Sequence, residues 1–429
     1  MATISSIGIG SGLDINSIIT QLIAVERVPL TQLQTEATAM QTKLSTYGRV
    51  QSSLTALRDA ASALTKSDTW SQTVGTSSDA SAVAVTTSTS TAAGQYAIQV
   101  SALASVQSNV SSTYASADSL VGEGTLHIQL GTWSGTAFNP KTGAAVLDIS
   151  SGPPAQSLAQ LRDTINASGA GVVASVVTDA SGARLVFRSS ASGASNGFRI
   201  TTSDTDGNNS DGLGLSALAF DPSAGILSMA RALSAANASA TINGVPITSE
   251  SNTLTNIVDG LNLTLNKITT VPVQVTAAAD TSGIRKTIDS FVSAYNALNT
   301  LLAEQTKYDA GNSRRDNLQG DGAALAVRAQ FRSLTGATSG ASTTFTRLSD
   351  IGMDVQSDGS LKLNEAKVTS GIGNLAEIKK LFATSDIVTP GNNGLATRIR
   401  ISADQVLGSD GSISTRMSSP HGAACRRYR

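Results

Sequence analysis

The hydrophobic pattern of this chain is most regular between Ile284 and Leu302. Large apolar residues recur there in alternating steps of four and three, at Ile284, Ile288, Phe291, Tyr295, Leu298 and Leu302. This spacing is the heptad seam of a coiled-coil helix, and fully burying each such side chain is worth roughly 1.5–3 kcal/mol. The stretch therefore predicts a long helix that requires a partner helix.

A matching heptad pattern lies far earlier in the chain. It consists of Leu33, Ala37, Met40, Leu44 and Tyr47 and, after a stammer beside Gly48, of Val50, Leu54, Leu57, Ala61 and Leu64. Pairing of the two helices predicts a stalk or leg domain of residues 31–67 and 280–416, with the intervening residues inserted. We expect its coiled coil to join the Ile284–Leu302 seam to Leu44, Tyr47, Leu54 and Leu57.

A narrower apolar stripe at helical spacing precedes this pattern, after Asp14 as a predicted N-cap. The stripe consists of Ile15, Ile18, Ile19, Leu22 and Ile23. Pro29 predicts a break or kink that separates a mobile terminal helix region, 1–30, from the stalk. Because little of the chain is left to cover the stripe, we interpret it as a docking helix for another subunit. The alternative is ordinary intrachain core.

Between the two stalk helices the apolar period changes to two, which is typical of strands. Residues 68–112 and 236–279, which include a strand–turn–strand candidate in TINGVPI, predict one β-rich domain. Residues 113–235 predict an inserted outer β-rich domain with one short helix, N-capped by Ser157. The predicted fold class is α+β, a helical coiled-coil stalk from the N- and C-terminal segments with two inserted β-rich domains.

Beyond the seam the pattern predicts smaller elements. A helix is expected over 317–334 with Leu325, Val327 and Phe331 inward, followed by a hairpin over 348–363 that turns at Asp358-Gly359. Two further amphipathic helices are expected, at 375–382 and near 395–406.

Composition excludes several classes of partner. The net charge is −1 and charged residues make up 14% of the chain, which gives no electrostatic case for nucleic acid. No apolar run approaches the ~18–20 residues that membrane insertion needs, and residues 1–12 lack the pattern of a cleaved signal peptide. The single cysteine, Cys425, excludes an intrachain disulfide framework. These features fit a cytoplasmic protein, and equally one that is exported unfolded through a narrow conduit.

No catalytic, cofactor or metal site is predicted. Gly8, Gly10 and Gly12 have neither the spacing nor the preceding strand of a phosphate loop, and the run from Asp204 lacks the glycine and glutamate of a calcium loop. His127 and His421 have no serine or cysteine nucleophile with an acidic partner in recognisable local sequence. The sequence therefore does not predict an enzyme.

The last residues, 417–429 (MSSPHGAACRRYR), differ in composition from the rest and hold the only cysteine and three arginines in four positions. We interpret them as an aberrant tail, produced by truncation or an altered reading frame. The alternative is a natural basic tail.

Four stretches in the order found here resemble the flagellar filament cap family, also called hook-associated protein 2. They are GIGSGLDINSIITQLIAVERVPL, ATINGVPITSESNTLTNIVDGLNLTL, IDSFVSAYNALNTLLAEQTKYD and LSDIGMDVQSDGSLKLNEAKV, the last followed by LFA and LGSDGSIS. The segment INASGAGVVASVVTDASG is similar to the IN motif of flagellins and hook-associated proteins. The resemblance covers most of residues 1–416. It departs after Asp410-Gly411, where family members continue into a long returning helix.

The resemblance implies a structural cap at the distal tip of the bacterial flagellar filament. It implies a homo-oligomeric ring, a pentamer by family resemblance, that prevents flagellin leakage and promotes flagellin polymerisation. It also implies contacts with flagellin, hook-associated junction proteins and an export chaperone, an extracellular location reached without a cleaved signal peptide, and contact of outer domains with host surfaces. The alternative function is a secreted axial protein or adhesin that binds host carbohydrate or mucin.

Overall fold

The computed structural model describes residues 15–309, 314–315 and 317–418, and the chain divides into two compact units. The helical unit is built from Met1–Gln72 and Asp280–Arg429, and the β unit from Thr73–Ala279. The predictions for Asp14, for Gly8, Gly10 and Gly12, and for residues 419–429 lie outside the described residues.

The helices are α1 (Ile15–Thr65), α2 (Ser67–Ser71), α3 (Leu158–Ser168), α4 (Thr281–Thr306), α5 (Gly322–Thr335), α6 (Glu365–Ile372), α7 (Leu375–Ala383), α8 (Leu395–Leu407) and α9 (Ser412–Ser418). Short 3-10 turns occur at Ala194–Asn196, Gly214–Leu218, Pro222–Ala224, Leu348–Ile351 and Pro390–Asn392.

The strands are β1 (Thr73–Ser77), β2 (Val83–Thr87), β3 (Gly94–Ala102), β4 (Ser108–Val110), β5 (Gly124–Ser134), β6 (Ala137–Pro140), β7 (Leu147–Ser151), β8 (Val172–Asp179), β9 (Gly182–Ser189), β10 (Gly197–Asp204), β11 (Phe220–Asp221), β12 (Ile226–Leu227), β13 (Ala230–Leu233), β14 (Ala238–Ile242), β15 (Val245–Ser249), β16 (Thr253–Val258), β17 (Leu261–Leu265), β18 (Val273–Ala279), β19 (Tyr308–Asp309), β20 (Arg314–Arg315), β21 (Met353–Val355) and β22 (Leu361–Leu363).

The core of the helical unit forms where the C-terminal half of α1 packs against α4 and α8. The contributions of α1 to this core are Tyr47, Val50, Leu54, Leu57, Ala61 and Leu64. Those of α4 include the predicted seam, Ile284, Ile288, Phe291, Tyr295, Leu298 and Leu302. The second partner, α8, supplies Ile399 and Ala403, so the single predicted helix pair is a three-helix core that α5 and α7 extend.

Three predictions for this unit are wrong. The helix α1 continues through Pro29, so the predicted break does not occur there, because a proline removes only one backbone donor while the flanking turns keep theirs. The helix predicted from residue 317 begins at Gly322, since Asp321 accepts hydrogen bonds from the first N–H groups and acts as N-cap. Leu325, which the pattern predicts to face inward, is exposed. The neighbouring Ala324 is buried instead.

The β unit contains two hydrophobic cores, each between two antiparallel sheets. In the first, the sheet β1-β18-β3-β14-β15 and the sheet β16-β17-β2 enclose residues such as Ile98, Leu263 and Val275. The turn between β14 and β15 is Asn243-Gly244, both with positive φ, which is the turn that suits the twist of a two-residue hairpin.

The second core lies between the sheet β12-β11-β10-β5-β6, to which β7 pairs, and the sheet β13-β4-β9-β8. The helix α3 adds Leu158, Leu161 and Ile165, and its predicted N-cap is confirmed by a capping box between Ser157 and Gln160. The strand β4 pairs with β9 and β13, so its hydrogen bonds begin the outer sheet a few residues before the predicted boundary at 113.

Candidate subunit-docking surface

The N-terminal half of α1 carries a row of apolar side chains that the described chain leaves exposed. The row consists of Ile18, Ile19, Leu22, Ile23, Val25, Val28, Leu30, Leu33, Met40 and Leu44. Leu22 is 59% exposed and Leu33 is 45% exposed. A helix with this much exposed apolar surface is typical of a segment that binds a partner rather than of a surface that faces solvent. We call residues 18–44 of α1 the exposed half.

Burial changes abruptly one heptad step beyond Leu44. Leu44 is still exposed, whereas Tyr47 and every later seam position of α1 are buried against the helical unit. Of the predicted coiled-coil residues, the structure therefore brings together all except Leu44. The predicted docking residues Ile18, Ile19, Leu22 and Ile23 are all exposed; Ile15 begins α1, and its side chain lies outside the description.

The exposed half continues the heptad spacing of the packed half. Leu33, Met40 and Leu44 lead without a gap into Tyr47, so one stripe on the helix passes from an open surface into a closed core. Glu26 interrupts the stripe further towards the N-terminus. A polar residue in a seam costs stability and fixes the register of the partner, so the exposed half suits a specific helical partner.

A buried charge marks the point where the exposed half meets the core. Asp321 caps α5 through the N–H groups of Ala323 and Ala324, and its carboxylate lies 2.9 Å from the Lys43 ammonium. Burial alone would raise the pKa of Asp321, but the Lys43 ammonium and the N–H of Ala324 stabilise the carboxylate and lower that pKa to about 2. Burial and the Asp321 carboxylate together raise the pKa of Tyr47.

This carboxylate makes the stability of the helical unit depend on pH. An unfolded Asp has a pKa of ~3.9, so the depressed folded value stabilises the protein above about pH 4, and this contribution is lost as the pH falls towards 2. We expect Asp321→Asn to lower the free energy of unfolding by ~2 kcal/mol at pH 7, and the difference from wild type to shrink towards pH 2. Urea unfolding followed through Trp70, in a Trp133→Phe background, measures this.

The control for that experiment is Asp59→Asn, because the Asp59 carboxylate is mostly exposed beside Arg58. This change should leave stability unaltered at both pH values, since exposed ion pairs contribute little. An Asp321→Asn difference that stayed constant from pH 7 to pH 2 would contradict the assignment.

The structure brings two side chains to His127 that local sequence could not reveal. The Nδ1 of His127 lies 2.6 Å from Asp148 Oδ1 on β7, and its Nε2 lies 2.9 Å from Ser203 Oγ on β10. The order matches that of a hydrolytic triad. However, Asp148 is 64% exposed, so water competes for these hydrogen bonds on an open sheet face. The cluster joins three strands across the outer sheet.

Within the described residues no cluster of His, Cys, Asp and Glu could hold a metal ion. Asp204, which began the calcium-loop candidate, instead accepts a hydrogen bond from the N–H of Ser216. The helices in the described ranges include none that combines the length and the apolar character needed to cross a membrane.

Comparison with known proteins places this architecture in a family. The family models described as flagellar hook-associated protein 2 N-terminus and C-terminus match residues 11–107 and 235–423, and the flagellin hook IN motif matches 137–191. Flagellar hook-associated protein 2 of Escherichia coli K12 is 32% identical over 381 residues, covering 87% of this chain and 78% of that protein. The B-type protein of Pseudomonas aeruginosa is 30% identical over 411 residues, covering 92% and 82%.

Solved structures agree. The crystal structure of the flagellar cap protein FliD D1-D2-D3 domains from Escherichia coli superposes with a TM-score of 0.65 at 30% identity, covering 88% of this chain and 99% of that one. The predicted resemblance and the predicted α+β fold are thereby confirmed. Two long matched segments, a relative covered over most of its length and a shared three-dimensional fold lead to one conclusion: the chain belongs to the flagellar hook-associated protein 2 family.

Proposed function

We propose that this chain is the structural cap at the distal tip of the bacterial flagellar filament. In this role it forms a homo-oligomer over the export channel, retains exported flagellin and promotes its polymerisation. The observation that carries the proposal is the exposed half of α1. Its apolar heptad residues are not covered by the rest of the described chain, so they require partner subunits to bury them. Membership of a family whose members include flagellar cap proteins supports it.

The proposed partners follow from this role. Copies of the chain assemble into a ring, taken as a pentamer, while the exposed half of each copy docks on flagellin or on hook-associated junction proteins. An export chaperone covers the same apolar stripe before secretion, since an uncovered stripe of this size promotes aggregation. The site of action is extracellular, and the stalk and the two β-rich domains of the sequence prediction serve as the leg and the plate of the cap.

The test is complementation of a strain that lacks its own cap gene but is otherwise intact and closely related. Cells that express this chain should form filaments of normal length and release little flagellin, whereas the empty vector should leave short filaments and flagellin monomer in the medium. Electron microscopy and immunoblotting of the medium measure the two results. Secretion of this chain without any gain in filament length would contradict the proposal.

A second candidate function, adhesion to host carbohydrate, has one observation in its favour. Trp133 packs on Phe138 and Phe220 at the edge of the outer core, and the guanidinium of Arg231 lies 5.9 Å from the Trp133 ring centroid. A cation beside a partly buried aromatic cluster suits an acidic sugar. Binding of the purified chain to sialylated or sulfated glycans, lost on Arg231→Ala, would support adhesion; equal binding by both proteins would contradict it.

We assign no catalytic role to the chain. The family is a structural one, and the His127 cluster lies on an open sheet face rather than in a pocket. Neither nucleophilic catalysis nor general acid–base catalysis is part of the proposed function.

A further inference from the structure

The strand β8 forms a long free edge in the outer β-rich domain. It ends the sheet β13-β4-β9-β8, where it pairs with β9 over its whole length, and no described strand pairs with its other side. No other edge strand in the described sheets is as long. A free edge offers a row of unpaired backbone N–H and C=O groups to any other strand. Addition of a further strand is therefore most favourable along β8.

The hydrogen bonds of Asn166 show which residues of β8 face this edge. The Asn166 side chain, at the end of α3, donates from Nδ2 to the Ala174 carbonyl at 2.9 Å and accepts from the Ala174 N–H at 2.8 Å. Backbone groups alternate between the two sides of an antiparallel strand, so those of Val172, Val176 and Thr178 face the edge as well. In the described part of the chain these three have no hydrogen-bond partner on that side. At Ala174 the amide takes the place of a neighbouring strand.

The sequence of β8 is nearly symmetric about Ser175, since residues 172–178 read VVASVVT. A second copy of the strand, antiparallel and centred on Ser175, places Ala174 opposite Val176 and Val172 opposite Thr178. These are the residues that face the edge, and each such pair exchanges two backbone hydrogen bonds. The strand that fits this edge is therefore β8 of a second copy of the chain.

The exposed side chains of β8 are compatible with the same pairing. Val173 and Val177 lie on the outer face of the strand and are 42% and 52% exposed. In the register centred on Ser175 each lies opposite the other on the second copy, as a non-hydrogen-bonded pair whose side chains come close. Asp179 is the only charged residue of β8, and it lies opposite Gly171. The pairing therefore covers apolar surface without bringing like charges together.

We propose that Asn166 makes an autoinhibitory contact, which keeps β8 from pairing with β8 of a second copy. Its amide already holds both backbone groups of Ala174, beside the centre of the symmetric stretch, so a second copy has to displace it. The edge strand β15 is blocked in another way. Pro246 follows the pair that closes the Asn243-Gly244 turn, so its nitrogen faces the free edge and carries no hydrogen. The inference concerns one sheet edge of the β unit and does not depend on the proposed cap function.

Disulfide trapping of the purified full chain, in a Cys425→Ser background, tests the proposal. Ser175→Cys places a thiol at the centre of the pairing, where it meets the same thiol of the second copy. Adding Asn166→Ala should raise the initial rate of disulfide dimer formation under mild oxidation by about 10-fold, because two hydrogen bonds no longer oppose pairing. Non-reducing gel electrophoresis measures the rate. Equal rates with and without Asn166→Ala overturn the proposal.

Two further variants separate edge pairing from random collision and from unfolding. Val177→Cys with Asn166→Ala has its thiol on the same face, but that thiol lies opposite Val173 of the second copy, so trapping should stay slow. Trapping as fast as that of Ser175→Cys overturns the proposal. Val176→Pro, added to Ser175→Cys and Asn166→Ala, removes an N–H that faces the edge and should return the rate to that of the chain with Asn166. A fast rate that survives this change overturns the proposal as well.

Discussion

Replacing Phe291 with alanine should lower the free energy of unfolding of the helical unit by about 3–5 kcal/mol. Phe291 is fully buried on α4, and its ring packs edge-on against Phe382 of α7 at a centroid distance of 6.5 Å. The change removes buried apolar surface and leaves a cavity between α4 and α7, around which a packed core relaxes only partially. Urea unfolding followed by Trp70 fluorescence, again in a Trp133→Phe background, measures the effect, since Trp70 stacks on the same Phe382 ring.

Leu33→Ala is the control for this experiment, because Leu33 occupies an equivalent heptad position in the exposed half of α1. Its removal should change the unfolding free energy of the isolated chain by no more than ~0.5 kcal/mol. Equal losses for the two variants would mean that the exposed half is covered by the chain itself.

The largest functional effect is expected from the exposed half. Leu22→Gln, Leu33→Gln and Met40→Gln together should abolish the ability of the chain to restore filament growth in a cap-deficient strain. Glutamine preserves helix propensity while removing the apolar stripe, so α1 should remain helical but lose its partners. Filament length is the readout, and circular dichroism of the purified variant shows whether α1 has remained intact.

A matched variant carries Thr31→Ala and Thr38→Ala. Two residues along a helix are about 200° apart, so these threonines lie across the helix from Leu33 and Met40. This variant should restore filaments as wild type does. If the threonine variant fails and the glutamine variant succeeds, the docking surface lies on the other side of α1.

The long helices of the helical unit could be predicted because their heptad spacing is sustained and their seams hold large side chains. Phe291 and Tyr295 are examples: the period alone places both in the core, where the structure has them. The packing of α8 against α1 could not be predicted. Ile399 and Ala403 belong to a short helix whose apolar pattern does not indicate which helix it packs against. The residue at which burial of α1 begins could not be predicted either. Leu44 and Tyr47 belong to the same heptad pattern and differ only in which other parts of the chain lie near them.

Pro29 and Leu325 show how local rules give wrong predictions. A proline argues for a boundary, yet one missing hydrogen bond in a helix of this length is tolerated. The predicted start of α5 at residue 317 ignores Gly320, whose positive φ ends the preceding turn, and the N-cap Asp321 that follows it. The cluster of His127, Asp148 and Ser203 was beyond local reasoning, since strand register alone brings residues from three strands together.

The helical unit is made of two segments that flank the whole of Thr73–Ala279. Synthesis proceeds from the N-terminus, so α1 emerges long before α4 and α8 exist to cover Leu54 and Leu57. The β unit, by contrast, is one continuous stretch and can close while the rest is still being made. Nascent chains should therefore pass through a stage in which the sheets are folded and the whole of α1, not only its N-terminal half, displays hydrophobic surface. An export chaperone that binds nascent chains would therefore have the largest apolar surface available to it at that stage.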